Sequence, residues 1–319
     1  MTRKHPASVA LRAALIEQPE LAWLCTHHSA GNRELFGDDR LIQLPIAENA
    51  MVGMATGMAL AGRRTLVNVA RAAFLFSAMD PVVNEATKWR YLTNGQFAVP
   101  LTIRALTRGG ENLGAQHEHV PHALFAQIPG LVVAVPGSPN SAAGLLATAL
   151  RHPDPVLLLE SPALFGPGWE SLPEPEPTGD PLPFGVPHRV TDGRDVTLIG
   201  IGNTVRTVLA AARALATWQR TVQVVDLRTA APLDHDRLAE LAATTSAVVL
   251  VDEAPATCSL MHDIACRLMQ AGAVAPDRIR VLSGAACPAP VDPASQLVLS
   301  PSADDVVEAV LGAFVKGAV

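Results

Sequence analysis

At 319 residues the chain exceeds what one ordinary core organises, so two domains are expected. Hydrophobic residues make up 49% and charged residues 17%, which excludes a disordered chain, and the 4% aromatic share points to tightly packed α/β layers. The net charge is −6 and no basic block is longer than Arg63-Arg64, so nucleic acid is not an expected partner.

The N-terminal stretch "MTRKHPASVALRAALIEQPELAWL" reads as an amphipathic helix without the apolar core or cleavage site of a signal peptide. Cys25, Cys258, Cys266 and Cys287 are scattered, with no CxxC or zinc spacing. A cytoplasmic protein is expected, and no metal is assigned to this chain.

The segment "PIAENAMVGMATGMALAG" follows, from Pro45 to Gly62. Pro45 and Ile46 read as a strand end, with a helix starting near Glu48 or Asn49. The apolar run is shorter than the roughly 20 residues that cross a bilayer, so no membrane association is expected. Gly53, Gly57 and Ala61 recur every fourth residue and form one smooth stripe on a helix. Such a stripe serves either internal packing or a tight subunit contact. Glu48 is either a favourable charge at a helix N-terminus or a functional carboxylate, and the segment alone leaves both open.

Short apolar runs then alternate with helical ones. Expected strands are Leu66–Ala70, Pro100–Leu106, Leu131–Val135, Val156–Glu160, Val196–Ile201, Gln223–Leu227, Ala247–Asp252 and Arg280–Leu282. Expected helices include Ala142–Leu150, Thr204–Ala216, Asp234–Ala243 and Thr257–Gln270. Continuous apolar strands separated by helices indicate parallel sheets covered on both faces. The proline-rich stretch "FGPGWESLPEPEPTGDPLPFGVP" reads as an extended linker. It sets the expected organisation: domain one at residues 1–165, linker at 166–189, domain two at 190–319.

Two motifs stand out in these domains. "TRGGENLGAQHEHVPH" follows a strand and gathers His117, His119 and His122, suiting either proton transfer or a solvated surface loop. "LIGIGNTV…QVVDLR" places Gly200-x-Gly202 after a strand and Asp226 at the end of the next one. It mimics a dinucleotide fingerprint, but Val205 stands where the third glycine belongs.

Taken in order, "AENAMVGMATGMALAG", "FLFSAMDPVVNEATKWRYLTNGQFAVPLTIR", "GGENLGAQHEH", "IPGLVVAVPGSPNSAAGLLATALRHPDPVLLLE", "VTLIGIGNTVRTVLAAA", "VVDLRTAAPLD" and "VDEAPATCSLMHDIAC" resemble a known family. It is the β subunit of the thiamine-diphosphate-dependent decarboxylating component of 2-oxo-acid dehydrogenases, of pyruvate, branched-chain and acetoin type. The chain is also similar to the C-terminal part of transketolase. The resemblance implies an aminopyrimidine-binding parallel-sheet domain followed by a transketolase C-terminal-like domain. It implies an enzyme that decarboxylates a 2-oxo acid, or cleaves a ketol donor, and transfers the acyl or ketol unit. A stand-alone carboligase of transketolase type stays open beside it, and a nicotinamide-dependent oxidoreductase is the remote alternative.

The resemblance also implies roles. Glu48 takes the catalytic glutamate position, hydrogen-bonded to the cofactor's aminopyrimidine ring, where a dry interface would raise its pKa. Phe74 packs against that ring. His117 handles protons or anionic groups, and His119 is a further substrate candidate. The Gly-Asp-Gly and Asn-Asn motif that holds the diphosphate and Mg2+ is missing, so an α-type partner subunit is implied, in an α2β2 assembly. A lipoyl acyltransferase is the further partner if the assembly works within a dehydrogenase complex. In "VARAAF", Ala70, Ala72 and Ala73 would enlarge the substrate cavity, and Arg71 would pair with an anionic substrate. His152 replaces a common acidic residue at the segment where many relatives hold a monovalent cation.

Overall fold

The computed structural model describes residues 6–166 and 180–315. In chain order the first part runs α1 (Pro6–Glu17), β1 (Ala22–Cys25), α2 (Ala30–Phe36), β2 (Leu41–Gln43), α3 (Glu48–Leu60) and β3 (Thr65–Arg71). A 3-10 segment (Ala72–Ala78), a π-helical turn (Pro81–Ala86) and α4 (Trp89–Leu92) lead to β4 (Leu101–Leu106). Then come α5 (His122–Ala126), β5 (Val132–Ala134), α6 (Pro139–Ala149) and β6 (Val156–Glu160). The second part has β7 (His188–Thr191), β8 (Val196–Gly200), α7 (Thr204–Ala216), β9 (Val222–Asp226), β10 (Thr229–Ala231) and α8 (His235–Ala242). It ends with β11 (Ala247–Pro255), α9 (Leu260–Gln270), β12 (Ile279–Gly284), α10 (Pro293–Gln296) and α11 (Ala303–Val315). Most of the proline-rich linker, residues 167–179, lies outside the described residues.

Among the described residues the strands form a seven-stranded sheet, β10-β5-β6-β4-β3-β1-β2, and a five-stranded sheet, β12-β11-β8-β9-β7. Pairing is parallel except for β10 on β5 and β7 on β9. One face of the large sheet carries α1 and α6 through Leu11, Leu15, Leu145 and Leu146. The other face carries α3 and the 3-10 segment, and its core runs on into Ile199, Ile201, Val225 and Leu227 of the second part. Strand β10 crosses from the second part to pair with β5, placing Thr229 opposite Ala134 and Ala231 opposite Val133.

Local chemistry sets the boundaries. Helix α6 starts at a capping box in which the Ser138 and Ser141 side chains bond each other's backbone, with Pro139 at the first helical position. Helix α7 buries Val205, Val208, Leu209 and Leu215 along one stripe. The chain departs from the expected elements in three places. The N-terminal helix stops at Glu17 and Ala22–Cys25 is a strand, because Pro19 disfavours helical backbone before it and cannot bond within it. Strand β2 ends at Gln43, short of Pro45, which has no N–H for the ladder, and Ile46 is exposed. Helix α9 begins at Leu260, not Thr257, because the Ser259 hydroxyl caps it by accepting from Met261 N.

No helix among the described residues is long and apolar enough to cross a membrane. Packing leaves no room for a side chain at Gly284. A Cβ there would collide with the backbone carbonyl oxygen of Glu253 and lie 2.9 Å from that of Leu299. We expect Gly284→Ala to destabilise the chain by about 1–3 kcal/mol, as overpacking does. Urea unfolding of the two proteins checks this, and equal midpoints would contradict it.

Candidate active site

Strands β1, β2, β3 and β4 run parallel, so the loops after them emerge at one edge of the sheet. From β1 the chain goes outward to β2, and α3 then crosses back to β3 on the other side. The neighbouring strands β1 and β3 therefore send their connections in opposite directions, to β2 and to β4, and their ends form a topological switch point, where open parallel sheets leave a crevice for ligands. Glu48 follows β2, Phe74 follows β3 and His117 follows β4. The connections that carry these three residues therefore leave the same edge of the sheet.

Glu48 is the first residue of α3 and half-buried. Its carboxylate makes no hydrogen bond or ion pair among the described residues, and Ala47 provides no side-chain cap. The next residue ties the helix to the aromatic segment. Asn49 Nδ2 donates to Ser77 O at 3.3 Å, and Ser77 Oγ donates to Phe74 O at 2.8 Å.

Phe74 meets His117 edge-to-face, with ring centroids 5.4 Å apart and planes at 77°. Phe76 meets His119 in the same way, at 5.3 Å and 89°. Two aromatics two residues apart thus match two histidines two residues apart. The sequence reading missed Phe76, and this shared spacing was the available signal.

Arg71 forms an ion pair with Glu111, so its charge already has a partner from the glycine-rich loop. Ala72 is fully buried in the core. Ala70 does border a recess of about 250 Å3, with Asn68, Arg104, Glu160 and Phe165. His152 lies in a turn whose carbonyl accepts from Arg64 Nη1 at 2.7 Å. A second recess, of about 670 Å3, lies between α5 and the starts of α8 and α9 and touches none of the predicted site residues.

The third histidine of the loop is elsewhere. His122 and Asp252 are both buried at the seam between the two parts, with Nε2 and Oδ2 2.9 Å apart. Burial works against the charge of His122, yet the Asp252 carboxylate, their hydrogen bond and Glu253 carry its pKa above the ordinary value. Burial likewise pushes Asp252 up, but His122 and backbone donors hold it below the usual carboxylate range. Glu253 is pushed up to about 6 by burial and the neighbouring Asp252, with Arg108 opposing.

The nicotinamide-like turn is closed off. A Cβ on Gly202 would lie 2.9 Å from Val135, and one on Gly137 would lie 2.6 Å from Asp226 Oδ2. The turn is thus docked on the first part. The Thr204 hydroxyl donates to Val251 O at 2.9 Å, and Asp226, fully buried, accepts from Arg228 N at 2.8 Å. The acid expected at a ribose is spent on the fold.

Comparison with known proteins settles the family. Residues 19–166 match the transketolase pyrimidine-binding domain and residues 186–306 the transketolase C-terminal domain. The acetoin:2,6-dichlorophenolindophenol oxidoreductase β subunit of Cupriavidus necator is 35% identical over 85% of this chain and 79% of its own length. The chain belongs to the dehydrogenase β-subunit family of transketolase-like proteins.

Other members of this family are similar to comparable extents. The pyruvate dehydrogenase E1 β subunit of Rickettsia felis is 34% identical over 88% of this chain and 85% of that protein. The 2-oxoisovalerate dehydrogenase β subunit of Bacillus subtilis is 35% identical over 74% of this chain and 72% of that protein. A solved structure titled "Split gene transketolase, inactive beta4 tetramer" shares the fold, with a TM-score of 0.78, 23% identity and 97% coverage of both chains.

The pKa of Glu253 sets a pH dependence for this β subunit. The folded value of about 6 lies above the ordinary 4.5, so the folded chain favours the neutral acid. That contribution is full below pH 4.5 and is lost as the pH rises through 6, a change of about 2 kcal/mol. We expect the stability of the wild type relative to Glu253→Gln to fall by about 2 kcal/mol between pH 4.5 and 7. Denaturant unfolding across that range checks it, and a constant difference would count against it.

Proposed function

We propose that this chain is the β half of a heteromeric, thiamine-diphosphate-dependent enzyme that decarboxylates a 2-oxo acid, or cleaves a ketol donor, and passes the acyl or ketol unit on. The observation that carries this is Glu48. It is a half-buried carboxylate without a partner among the described residues, at the sheet edge from which the connections carrying Phe74 and His117 also leave. A carboxylate left unmatched beside an aromatic wall fits a ring that offers a nitrogen and a flat face.

When bound, thiamine diphosphate supplies the electron sink for breaking the carbon–carbon bond. Glu48 would hold the proton at the pyrimidine ring nitrogen with its carboxyl group. Phe74 forms the wall against the ring. His117, half-buried and fixed by Phe74, donates to oxygens that gain negative charge during the reaction. His119 is more exposed and stands where substrate or acceptor enters. Arg71, neutralised by Glu111, shapes that entrance rather than binding a substrate anion by itself.

The diphosphate and its Mg2+ are assigned to the α-type partner. Among the described residues no cluster of three His, Cys, Asp or Glu side chains is placed to hold a metal ion. Helix α3 supports a multimeric assembly, α2β2 in our reading. Ala50, Gly53, Met54, Gly57 and Ala61 form an exposed face, and a Cβ on Gly57 would meet nothing within 4 Å. The glycine therefore answers no need inside its own chain. The four cysteines are unbonded, which suits a reducing cytoplasm.

With its α-type partner, Glu48→Gln should slow exchange of the thiazolium C2 proton at least about 100-fold, the usual share of a general acid–base. Near-normal exchange, followed by NMR in deuterated water, would remove Glu48 from the mechanism. The purified chain alone should bind thiamine diphosphate poorly. Tight stoichiometric binding in a calorimeter would show that no partner is needed. Product analysis with lipoyl and aldehyde acceptors then separates a dehydrogenase component from a carboligase.

A further inference from the structure

The loop Thr107–His122 is tied to the second part of the chain at its start, middle and end. Arg108 Nη2 donates to Glu253 O at 2.6 Å and to Ser300 Oγ at 2.9 Å. Gln296 Nε2 donates to Glu118 Oε2 and, at 2.7 Å, to Pro290 O. The His122–Asp252 pair closes the loop at 2.9 Å. His117 and His119 lie between these ties, with their rings against Phe74 and Phe76. The loop is therefore clamped from behind by one domain while its histidines face the site of the other.

The closing tie differs from the other two. Among the described residues it is the ion pair of this seam with both side chains essentially inaccessible, 1% and 0% exposed. The charged groups facing it are Glu253, the next residue along β11, and Arg108 from the start of the loop. Asp252 is fixed from its other side, since Oδ1 accepts from Ala254 N at 3.0 Å. Among the described residues His122 Nδ1 has no hydrogen-bond partner, so the ring is held through Nε2. A buried ion pair is a poor source of net stability compared with apolar packing, but it dictates distance and direction. Here it seats the first residue of α5, five positions after His117.

We propose that His122–Asp252 is the positioning pair for the acid–base loop, through which the second domain sets where His117 and His119 stand against Phe74 and Phe76. Neither residue touches the reacting groups. Each acts through the loop. The catalytic consequence rests on the proposed function, but the positioning itself does not.

The test uses the full chain. The C2 protons of His117 and His119, resolved by 1H–13C NMR, should carry ring-current shifts from their phenylalanines. In folded His122→Gln or the milder Asp252→Asn, those shifts should collapse toward values of exposed histidine. Amide exchange at Gly114–His119 should rise at least tenfold while β3 and β4 amides keep their protection. The charge-reversed double variant, His122→Asp with Asp252→His, should restore both signals. A pair that served stability alone would lower the melting temperature and leave the histidine shifts in place, and that result in either folded single variant overturns the proposal. In the reconstituted holoenzyme, His122→Gln should lower kcat at least tenfold with donor KM changed less than twofold. The NMR signature needs no partner or cofactor. A wild type inactive with its α-type partner would therefore overturn the proposed activity and not the positioning role.

Discussion

Parallel pairing of β1, β2, β3 and β4 is the constraint on which the rest depends. Strands that run the same way must return through crossovers, so the segments after their C-terminal ends share one edge. The connection from β1 leaves toward β2 and the one from β3 leaves toward β4, so the ends of these two neighbouring strands form the topological switch point. Glu48 begins the crossover helix, Phe74 lies just after β3, and His117 lies further along the loop after β4, which the second domain ties down.

The second domain is more than an appendage. Its β10 strand extends the first sheet, its Gly202 turn seats against Val135, Val205 and Asp226 pack against Gly137, and Asp226 accepts from the backbone of Arg228. A fold able to bind a nucleotide has turned that crevice into an internal joint. The same joint places Asp252, Glu253, Ser300 and Gln296 behind the histidine loop. Rigidity of the loop thus comes from the domain that carries none of the facing residues, which is how supporting contacts hold a site in place.

The site is also unfinished in a specific way. Among the described residues Glu48 has no partner and Gly57 faces open space, and the exposed side of α3 carries Ala50, Gly53, Met54 and Ala61 without a charge. Carboxylate and smooth helix face belong to one element, so closure of a neighbouring subunit over α3 would exclude water from Glu48.

The sequence by itself determined the alternation of strands and helices, since a buried strand such as Val156–Glu160 and a one-faced helix such as α7 carry their periodicity locally. It also marked Glu48, a lone charge heading an apolar helix, and the motif order that placed Phe74 and His117. Short edge strands escaped it, because three residues such as Leu41–Gln43 or Thr229–Ala231 show no period and take their pairing from distant partners. Tertiary structure decided the rest. It separated His122 from His117 and His119, gave Phe76 to His119, and matched Arg71 with Glu111. The physical reason is the same in each case. Local pattern records which face of an element is buried, whereas a charge or ring finds its partner only when segments as far apart as residues 122 and 252 are folded together.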